Sequence, residues 1–526
     1  MEQSGERFFA LRTLSTLRQS RKLHLLRAAF VGICVGLVAM LFEHAIEMVE
    51  HFMLNLTHVS RFSVIGWVLF IFTCSFVGGS VGWITDTVCR EASGSGIPHV
   101  KAVLLNLREI RVLRLFFVKF FGGMLALGTG FSLGREGPTV HLGATVADGI
   151  AKILKVPKKA KSHLIACGAG AGLAAAFNAP LAGFIFVIEE LRRELSPITY
   201  GVAFVAAVTA DAVTRSFMGS GPALSFTSFE APDFSATWPM IVVGLIAGGA
   251  GILFNETLVR GIKKTPESIP LPLRGAIVGA IIGVVTLIFP LATANIQRTF
   301  DGVLHVTNGI EISVWVFVGY FTLKYILTIA SYLTGVPGGI FAPMLIQGAL
   351  LGVIIGRFFT WCIPEPALPD GMYAMVGMCA FFAASVRAPL TGVVLISEMT
   401  GNFELLFILL VAALAAYLLG ELVGGKPIYE RLMAFGLRKP DALSTDDNEA
   451  MIVDITVEPH SKLDGVSIRE VQLPQGCLII TIRKDSKELV PHGSTTLAAG
   501  DELVVLLEVG ALGSLQEVKE AASGTL

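Results

Sequence analysis

Long apolar stretches alternate with short polar or glycine-rich segments over most of the chain. The apolar stretches are Ala28–Met48, Phe62–Ile84, Val112–Leu127, Leu164–Ala176, Leu181–Leu191, Ile198–Ala212, Trp238–Leu258, Ala276–Leu291, Val314–Leu333, Met344–Trp361, Tyr373–Ala384, Leu390–Ile396 and Leu405–Leu422. Several are shorter than the roughly 20 residues that cross a bilayer, and glycine or proline interrupts them. Non-helical backbone inside a membrane must be buried in protein or line a cavity, so broken helices indicate a site near the midplane. The pattern predicts an all-α polytopic membrane domain with broken helices.

The two ends of the chain differ from this apolar region. Residues 1–27 carry six arginine or lysine residues against two glutamates, so we expect a basic arm held in the cytoplasm by the positive-inside rule. Beyond a polar linker, 439–450, residues 451–526 alternate apolar and polar positions in MIVDITV, GCLIITI and DELVVLL. This alternation is typical of half-buried strands. The sequence therefore predicts an arm, a membrane domain over 28–438, a linker and a small C-terminal α/β cytosolic domain.

An internal repeat is visible within the membrane domain. Ala179–Gly183 matches Ala388–Gly392, and the glutamates that follow are 209 residues apart; Pro138 and Pro343 are 205 apart. Similar offsets predict two homologous halves, which we expect to be inverted as in many transporters, although the sequence alone does not determine their orientation. The expected halves are 28–235 and 236–438.

The composition narrows the class of protein. Hydrophobic residues make up 53% of the 526 residues and charged residues 15%, against about 25% charged in ordinary globular proteins. A net charge of −1 argues against nucleic acid as a partner, because phosphate binding requires a basic surface. The seven cysteines occur singly, so no metal-ligand or disulfide pattern is present. No nucleophile–base grouping stands out either, and we expect neither an enzyme nor a cofactor.

Three short segments combine glycine with proline: Gly94–Pro98, Gly134–Pro138 and Gly338–Pro343. Proline is well placed to open a helix, and glycine lets backbone N–H groups face a ligand without a Cβ in the way. The free N–H groups and positive dipole of such a helix start attract anions without the full charge that would trap them. Each segment alone reads as an ordinary break between helices. Three such segments in one chain, two of them at repeat-related positions, favour a shared anion site.

The segments GSGIP, GREGP and GGIFAP, followed by GGKPIY at Gly424–Tyr429, resemble the signature segments of the CLC family of chloride channels and proton/chloride exchangers. The order and spacing also match, and the resemblance covers about Ala28–Leu437. It implies a homodimer with an anion path in each subunit and chloride and protons as substrates. It further implies a multi-pass protein of a bacterial-type inner or plasma membrane, with both termini in the cytoplasm.

The resemblance also assigns the anion site. Ser95 and Tyr429 would donate hydroxyl groups to a central chloride, while Ile340 and Phe341 would offer backbone N–H groups. Such dipolar donors suit a weakly held, desolvated halide. The remaining assigned residues are Gly96 and Ile97 in the anion site, with support from Gly94, Pro98, Gly134, Arg135, Gly137, Pro138, Gly339 and Pro343.

Glu136 stands between Gly134 and Gly137 at one of these helix starts. A carboxylate there competes with chloride, because two negative charges about 4 Å apart repel by roughly 4 kcal/mol at an effective dielectric constant near 20. Protonation removes the competing charge, so one residue can serve as anion gate and proton carrier. The alternative is a structural salt bridge with Arg135, which we instead expect to bind nearby carbonyl groups.

Glu190 matches the position that passes protons on the intracellular side of the family's exchangers. Its presence favours a coupled exchanger over a passive voltage- or pH-gated chloride channel, which remains the alternative. Its neighbour Glu189 aligns with Glu398 in the repeat, so these two are expected to be structural partners of helix ends or of buried bases. Lys119 and Arg387 are candidates for buried structural pairs or for a positive field that favours anions.

The soluble tail resembles the C-terminal lobe of RCK (TrkA-type) regulatory domains over about Ala450–Val509. Such domains pair and sense small ligands, and a dimerising module without a ligand is an equally good interpretation. The resemblance also raises a cation transporter as an alternative function. No TVGYG-like filter is present, however, and helix N-termini repel cations.

Overall fold

The computed structural model describes residues 2–508 and 521–522, except 61, 194–196, 225, 227–228, 231, 233, 235–236, 267, 297, 300–312, 363–367, 438–449, 460, 472, 475 and 485–486. The chain divides into two compact units. The larger unit comprises the residues up to Leu437 except 106–108. The smaller unit comprises 106–108 and the C-terminal part of the chain. Most of the linker predicted at 439–450 lies outside the described residues.

The larger unit is helical throughout. Its first half contains α1 (Glu2–Ser60), α2 (Val64–Thr87), α3 (Ile97–Leu104), α4 (Val112–Gly128), α5 (Glu136–Ile153), α6 (Lys158–Phe177), α7 (Pro180–Phe186) and α8 (Pro197–Met218). A π-helical turn, Val187–Arg192, continues α7. The second half contains α9 (Thr237–Lys264), α10 (Leu271–Ile288), α11 (Pro290–Thr293), α12 (Val314–Leu333), α13 (Phe341–Cys362), α14 (Asp370–Val386), α15 (Pro389–Thr400), α16 (Leu406–Val423) and α17 (Ile428–Leu437).

Among the described residues, eight helices are long and apolar enough to cross a membrane. They are Lys22–Ser60 within α1, Thr199–Met218 within α8, and α2, α9, α10, α12, α13 and α16. The predicted helical, multi-pass membrane domain is confirmed, and the basic arm continues into α1 without a break.

Three helices, α3, α5 and α17, lie outside every apolar stretch predicted from the sequence. Helices α3 and α5 carry histidine, threonine, lysine and aspartate, yet most of their residues are buried. Other helices surround them instead of lipid, so polar side chains find partners within the protein. Their polar residues interrupt the run of apolar positions, so the apolar pattern missed these two helices.

Equivalent helix pairs of the two predicted halves pack in the same way. Helix α5 packs on α6, and α13 packs on α14. Glycine allows close contact in both pairs: a Cβ on Gly143 would strike the carbonyl of Gly168, and a Cβ on Gly348 would strike that of Gly377. The backbones of each pair therefore approach until they touch, as small residues permit in membrane helices.

Two buried lysines show the same repeat. Lys119 and Lys324 are 205 residues apart, and each ammonium donates to two backbone carbonyls, in 92–94 and in 292–294 respectively. The charge is thereby solvated by carbonyl dipoles where water is excluded. In the first half, this bond fixes the turn that opens α3.

The smaller unit is built on an antiparallel sheet with strand order β1-β4-β2-β3. The strands are β1 (Ala450–Thr456), β2 (Cys477–Lys484), β3 (Lys487–Leu489) and β4 (Glu502–Glu508). The three longer strands fall where the alternating pattern predicts them. The sheet packs on a core supplied by the tail itself: Ile455, Val457, Leu463, Ile479, Ile482, Leu497, Leu503, Val505 and Ala522.

Candidate functional site

The three glycine-proline segments meet at one point of the fold. Gly134 and Gly339 exchange two antiparallel backbone hydrogen bonds of 2.7 and 2.8 Å. The N–H of Gly338 donates to the carbonyl of Gly94 at 3.1 Å, and the N–H of Gly94 donates to Val336 at 3.3 Å. Because Gly134 and Gly339 are equivalent positions of the two halves, their reciprocal bonds give the repeat a local two-fold relation here.

Each segment opens a helix, as the sequence predicts. Helices α3, α5 and α13 begin at Ile97, Glu136 and Phe341. Gly94 and Gly96 adopt positive φ angles of 62° and 87°, which glycine tolerates at little cost. The first N–H groups of a helix have no intrahelical partner and carry partial positive charge. Three such helix starts therefore bring unpaired donors and positive dipole ends to one buried place.

Two buried hydroxyl groups belong to this region. Ser95 and Tyr429 are 1% and 0% exposed, and among the described residues neither hydroxyl has a hydrogen-bond partner. A buried hydroxyl without a partner costs free energy, so both are suited to donate to an anion. Tyr429 lies close enough to Glu136 and Glu190 for their charges to act on it.

Phe341 contributes backbone rather than side chain. Its ring is fully buried and packs against Phe177, Phe186 and Phe382 at centroid distances of 5.5, 6.5 and 4.6 Å. This aromatic cluster holds the first residue of α13 in place. The N–H groups of Ile340 and Phe341 are thereby fixed at the helix start.

Glu136 places a carboxylate among these donors. The side chain is 1% exposed, and its carboxylate lies beside the backbone N–H groups of Glu136 and Ala342. Among the described residues its Oε2 has no hydrogen-bond partner. The carboxylate therefore occupies the positive end of α13, where an anion would also bind.

Arg135 makes its hydrogen bonds to groups other than Glu136. Its guanidinium pairs with Glu43 of α1 and donates to the carbonyl of Ala176 at 3.2 Å. The alternative of a salt bridge between Arg135 and Glu136 is therefore wrong. The expected carbonyl contact is confirmed, and Glu43 is a partner that the sequence did not predict.

The neighbouring glutamates at 189 and 190 point to different partners. Glu190 is fully buried and accepts a hydrogen bond from the ammonium of Lys101 at 2.6 Å. Glu189 accepts bonds from the N–H groups of Leu390 and Thr391 at 3.1 and 2.7 Å, at the start of α15. A carboxylate at a helix N-terminus satisfies free donors and opposes the dipole.

Glu398, in the second half, makes the equivalent contact with a helix of the first half. It accepts bonds from Leu181 and Ala182 at 3.1 and 2.8 Å, at the start of α7. The two halves thus cap each other's helices through equivalent glutamates, which confirms the predicted role of Glu189 and Glu398 at helix ends.

The two further cations also take structural positions. The ammonium of Lys119 donates to the carbonyl of Gly94 at 2.6 Å. Arg387 pairs with Glu421 at 2.5 Å and donates to the carbonyl of Gly425 at 2.9 Å. Lys119 therefore holds the turn that carries Ser95, and Arg387 holds the segment that precedes α17 and Tyr429.

Sequence reasoning missed two residues of the site region. Tyr332 places its phenol oxygen 3.0 Å from where a Cβ on Gly94 would lie, beside the backbone of Ser95. Lys101 is the partner of Glu190. The available signal for Lys101 was a lysine within the mainly apolar segment Ile97–Leu104. No comparable signal marks Tyr332, which lies on the mainly apolar helix α12.

Gly137→Ala is expected to weaken chloride binding. A Cβ on Gly137 would lie 2.5 Å from Ser95 Oγ, 2.8 Å from Ser95 O and 3.0 Å from the Cα of Gly339, so α3, α5 and α13 must separate. Overpacking of about 1–3 kcal/mol corresponds to roughly 5- to 150-fold in affinity, measurable by calorimetric chloride titration. Gly319→Ala is the matched control, since nothing lies within 4 Å of its Cβ position. Wild-type affinity in a folded Gly137→Ala protein would contradict this packing.

Comparison with known proteins adds independent findings. Residues 77–421 match the family model described as voltage gated chloride channel, and residues 452–519 match that of the TrkA-C domain. The chain is 36% identical over 434 residues to the H(+)/Cl(-) exchange transporter ClcA of Citrobacter koseri, covering 80% of this chain and 89% of the relative. It is also 36% identical over 437 residues to the protein of the same name in Vibrio campbellii, covering 80% and 91%. A solved structure of a slow cyanobacterial Cl-/H+ antiporter shares 30% identity with a TM-score of 0.73, covering 80% of this chain and 99% of that one.

Proposed function

The chain belongs to the voltage-gated chloride channel (CLC) family, and on that premise we propose that it exchanges chloride for protons across a membrane. The observation that carries the proposal is the buried meeting point of three helix starts with the carboxylate of Glu136 among them. The H(+)/Cl(-) exchange transporters at 36% identity support the same activity. Chloride is the transported substrate, and no step requires a resident cofactor.

Chloride binds between the hydroxyl groups of Ser95 and Tyr429 and the N–H groups that open α13. These donors stabilise a desolvated anion through dipoles alone. A full cation in direct contact would lower the energy of the bound ion further and slow its release. The buried, unpartnered hydroxyl groups of both residues support this assignment.

Glu136 alternates with chloride at the outer part of this site. Its charged carboxylate and the anion compete for the same N–H groups, so the path is closed while the carboxylate occupies them. When a proton neutralises the carboxylate, chloride displaces it. The proton thus enters the protein on the residue that opens the anion path, which links the two fluxes.

Glu190 receives the proton on the inner side. It is fully buried and lies near Tyr429, so the proton route branches from the anion route beside this tyrosine. Buried ionisable groups in membrane proteins commonly mark proton relays.

The assembly and orientation follow from the family and from charge. The protein forms a homodimer with one pathway in each subunit, in a bacterial-type inner or plasma membrane. The basic arm places the N-terminus in the cytoplasm, and the C-terminal TrkA-like domain lies on the same side.

Vesicles that contain the purified protein test the proposed exchange directly. Simultaneous chloride and pH electrodes should show that a chloride gradient drives protons against their own gradient. Chloride flux without any proton movement would instead identify a passive channel on the same fold. Flux of cations in place of chloride would overturn the proposal altogether.

Deletion of Ala450–Leu526 is expected to leave coupled transport intact and to change its regulation or the stability of the dimer. The tail forms its own sheet and hydrophobic core, so the membrane unit is expected to fold without it. Flux assays and light scattering on the truncated protein measure both properties. Complete loss of transport by a well-folded truncated dimer would contradict the modular organisation.

A further inference from the structure

The buried ion pair between Lys101 and Glu190 lies where the proposed anion and proton routes separate. The ammonium nitrogen and carboxylate oxygen are 2.6 Å apart, and the two side chains are 7% and 0% exposed. Lys101 lies on α3, which begins directly after the segment that contains Ser95. One short helix therefore links the anion site to the inner carboxylate.

The backbone turns Glu190 towards this lysine. Val187–Arg192 is a π-helical turn, which inserts an extra residue and changes the direction of the side chains that follow. Glu189 therefore faces α15, while Glu190 faces α3. The turn ends at Arg193 with a positive φ of 52°, an uncommon angle for a residue other than glycine.

Two further charged groups complete the surroundings of Glu190. Arg193 lies 3.6 Å from the carboxylate and itself pairs with Glu430, which follows Tyr429 on α17. Lys101, Arg193 and Glu430 are the charged groups of the described chain that act on Glu190. On α6, which also packs on the turn, His163 contacts Thr199 at 2.9 Å.

Lys101 binds one carboxylate oxygen of Glu190, Oε1, whereas among the described residues Oε2 has no hydrogen-bond partner. A proton taken up on Oε2 removes the negative charge that attracts the ammonium, so protonation and ion pairing compete for this carboxylate. A buried carboxylate that lost this cation would retain only the more distant Arg193, whose own partner is Glu430. Removal of the cation shifts the balance towards the protonated form, because burial disfavours an isolated charge.

We propose that Lys101 is a positioning residue of the proton route: its ammonium is the counter-ion whose attraction to the Glu190 carboxylate opposes each proton uptake. The inference rests on the proton role proposed above for Glu190. Lys101 sets the pH range in which the inner carboxylate is charged, and the charge-conserving Lys101→Arg should preserve that range.

The test combines a spectroscopic titration with flux measurements. Infrared difference spectra over a pH series follow the protonated carboxyl band, which Glu190→Gln assigns by its loss. In Lys101→Met we expect the band midpoint to move to higher pH by about one to three units, the effect of losing a close opposite charge. Proton flux should shift its pH profile in the same direction, and Lys101→Arg should restore both profiles. Lys264→Met, at an exposed position, should match the wild type.

An unchanged midpoint in folded Lys101→Met would overturn the inference, even when the wild type exchanges chloride for protons. If the wild type shows no coupled flux but the midpoint moves as expected, the exchange proposal fails while the counter-ion assignment stands. Should Lys101→Met not fold, Lys101→Gln retains a hydrogen-bond donor without the charge. The same upward shift in Lys101→Gln supports the proposal, and no shift refutes it.

Discussion

Glu136→Gln is expected to keep transporting chloride and to lose its response to protons. In the wild type the buried carboxylate lies beside the N–H groups that open α13. Glutamine has nearly the same shape but no negative charge and no titratable proton. The competition with chloride therefore ends, and the entry point for protons is lost with it.

Chloride and pH electrodes on reconstituted vesicles measure both consequences. We expect chloride flux that is constant with pH and proton flux no greater than in protein-free vesicles. A charge repulsion of up to roughly 4 kcal/mol also predicts chloride affinity about tenfold or more above that of the wild type. Glu404→Gln, at an exposed glutamate, serves as the control with wild-type coupling. Chloride-driven proton pumping by Glu136→Gln would show that this residue is not the gate.

Glu190→Gln should retain chloride transport while protons are no longer coupled to it. In the proposed mechanism the residue lies on the inner branch of the proton route, so its loss should interrupt that route without altering Ser95, Tyr429 or the helix starts. Flux stoichiometry is the measurement, and an unchanged ratio of chloride to protons would exclude Glu190 as the relay.

The structure adds a stability effect to this second variant. Glu190→Gln leaves the buried ammonium of Lys101 without its carboxylate, and breaking a buried ion pair costs about 3–5 kcal/mol. Adding Lys101→Met to Glu190→Gln removes the uncompensated charge and should recover much of this loss in thermal unfolding. Transport by the double variant should remain uncoupled. The loss of proton coupling would then come from the missing carboxylate of Glu190 and not from reduced stability.

The adjacent glutamate provides a sharp contrast. Glu189→Gln should keep coupled transport, because Glu189 caps α15 and does not face α3. Loss of a helix cap costs about 0.5–2 kcal/mol of stability. Proton uncoupling by Glu189→Gln equal to that of Glu190→Gln would contradict the separate roles of these neighbours.

Most of the fold class was predictable because lipid imposes a composition on the helices that face it. The apolar stretches located the long helices, and the matching Pro138 and Pro343 revealed the repeat. Helices α3 and α5 escaped this pattern, since they are surrounded by protein and can carry His141, Asp148 or Lys101. Their starts were recognisable only from the local chemistry of glycine followed by proline.

The sequence by itself predicted a helical membrane protein with three glycine-proline helix starts suited to an anion, because hydropathy, proline and glycine act over a few neighbouring residues. Only the tertiary structure decided which groups meet. Backbone bonds between Gly134 and Gly339 bring the helix starts together, although these residues are some 200 positions apart. A single π-helical turn directs Glu189 to the start of α15 and Glu190 to Lys101. The directions of these two side chains depend on how the surrounding helices pack.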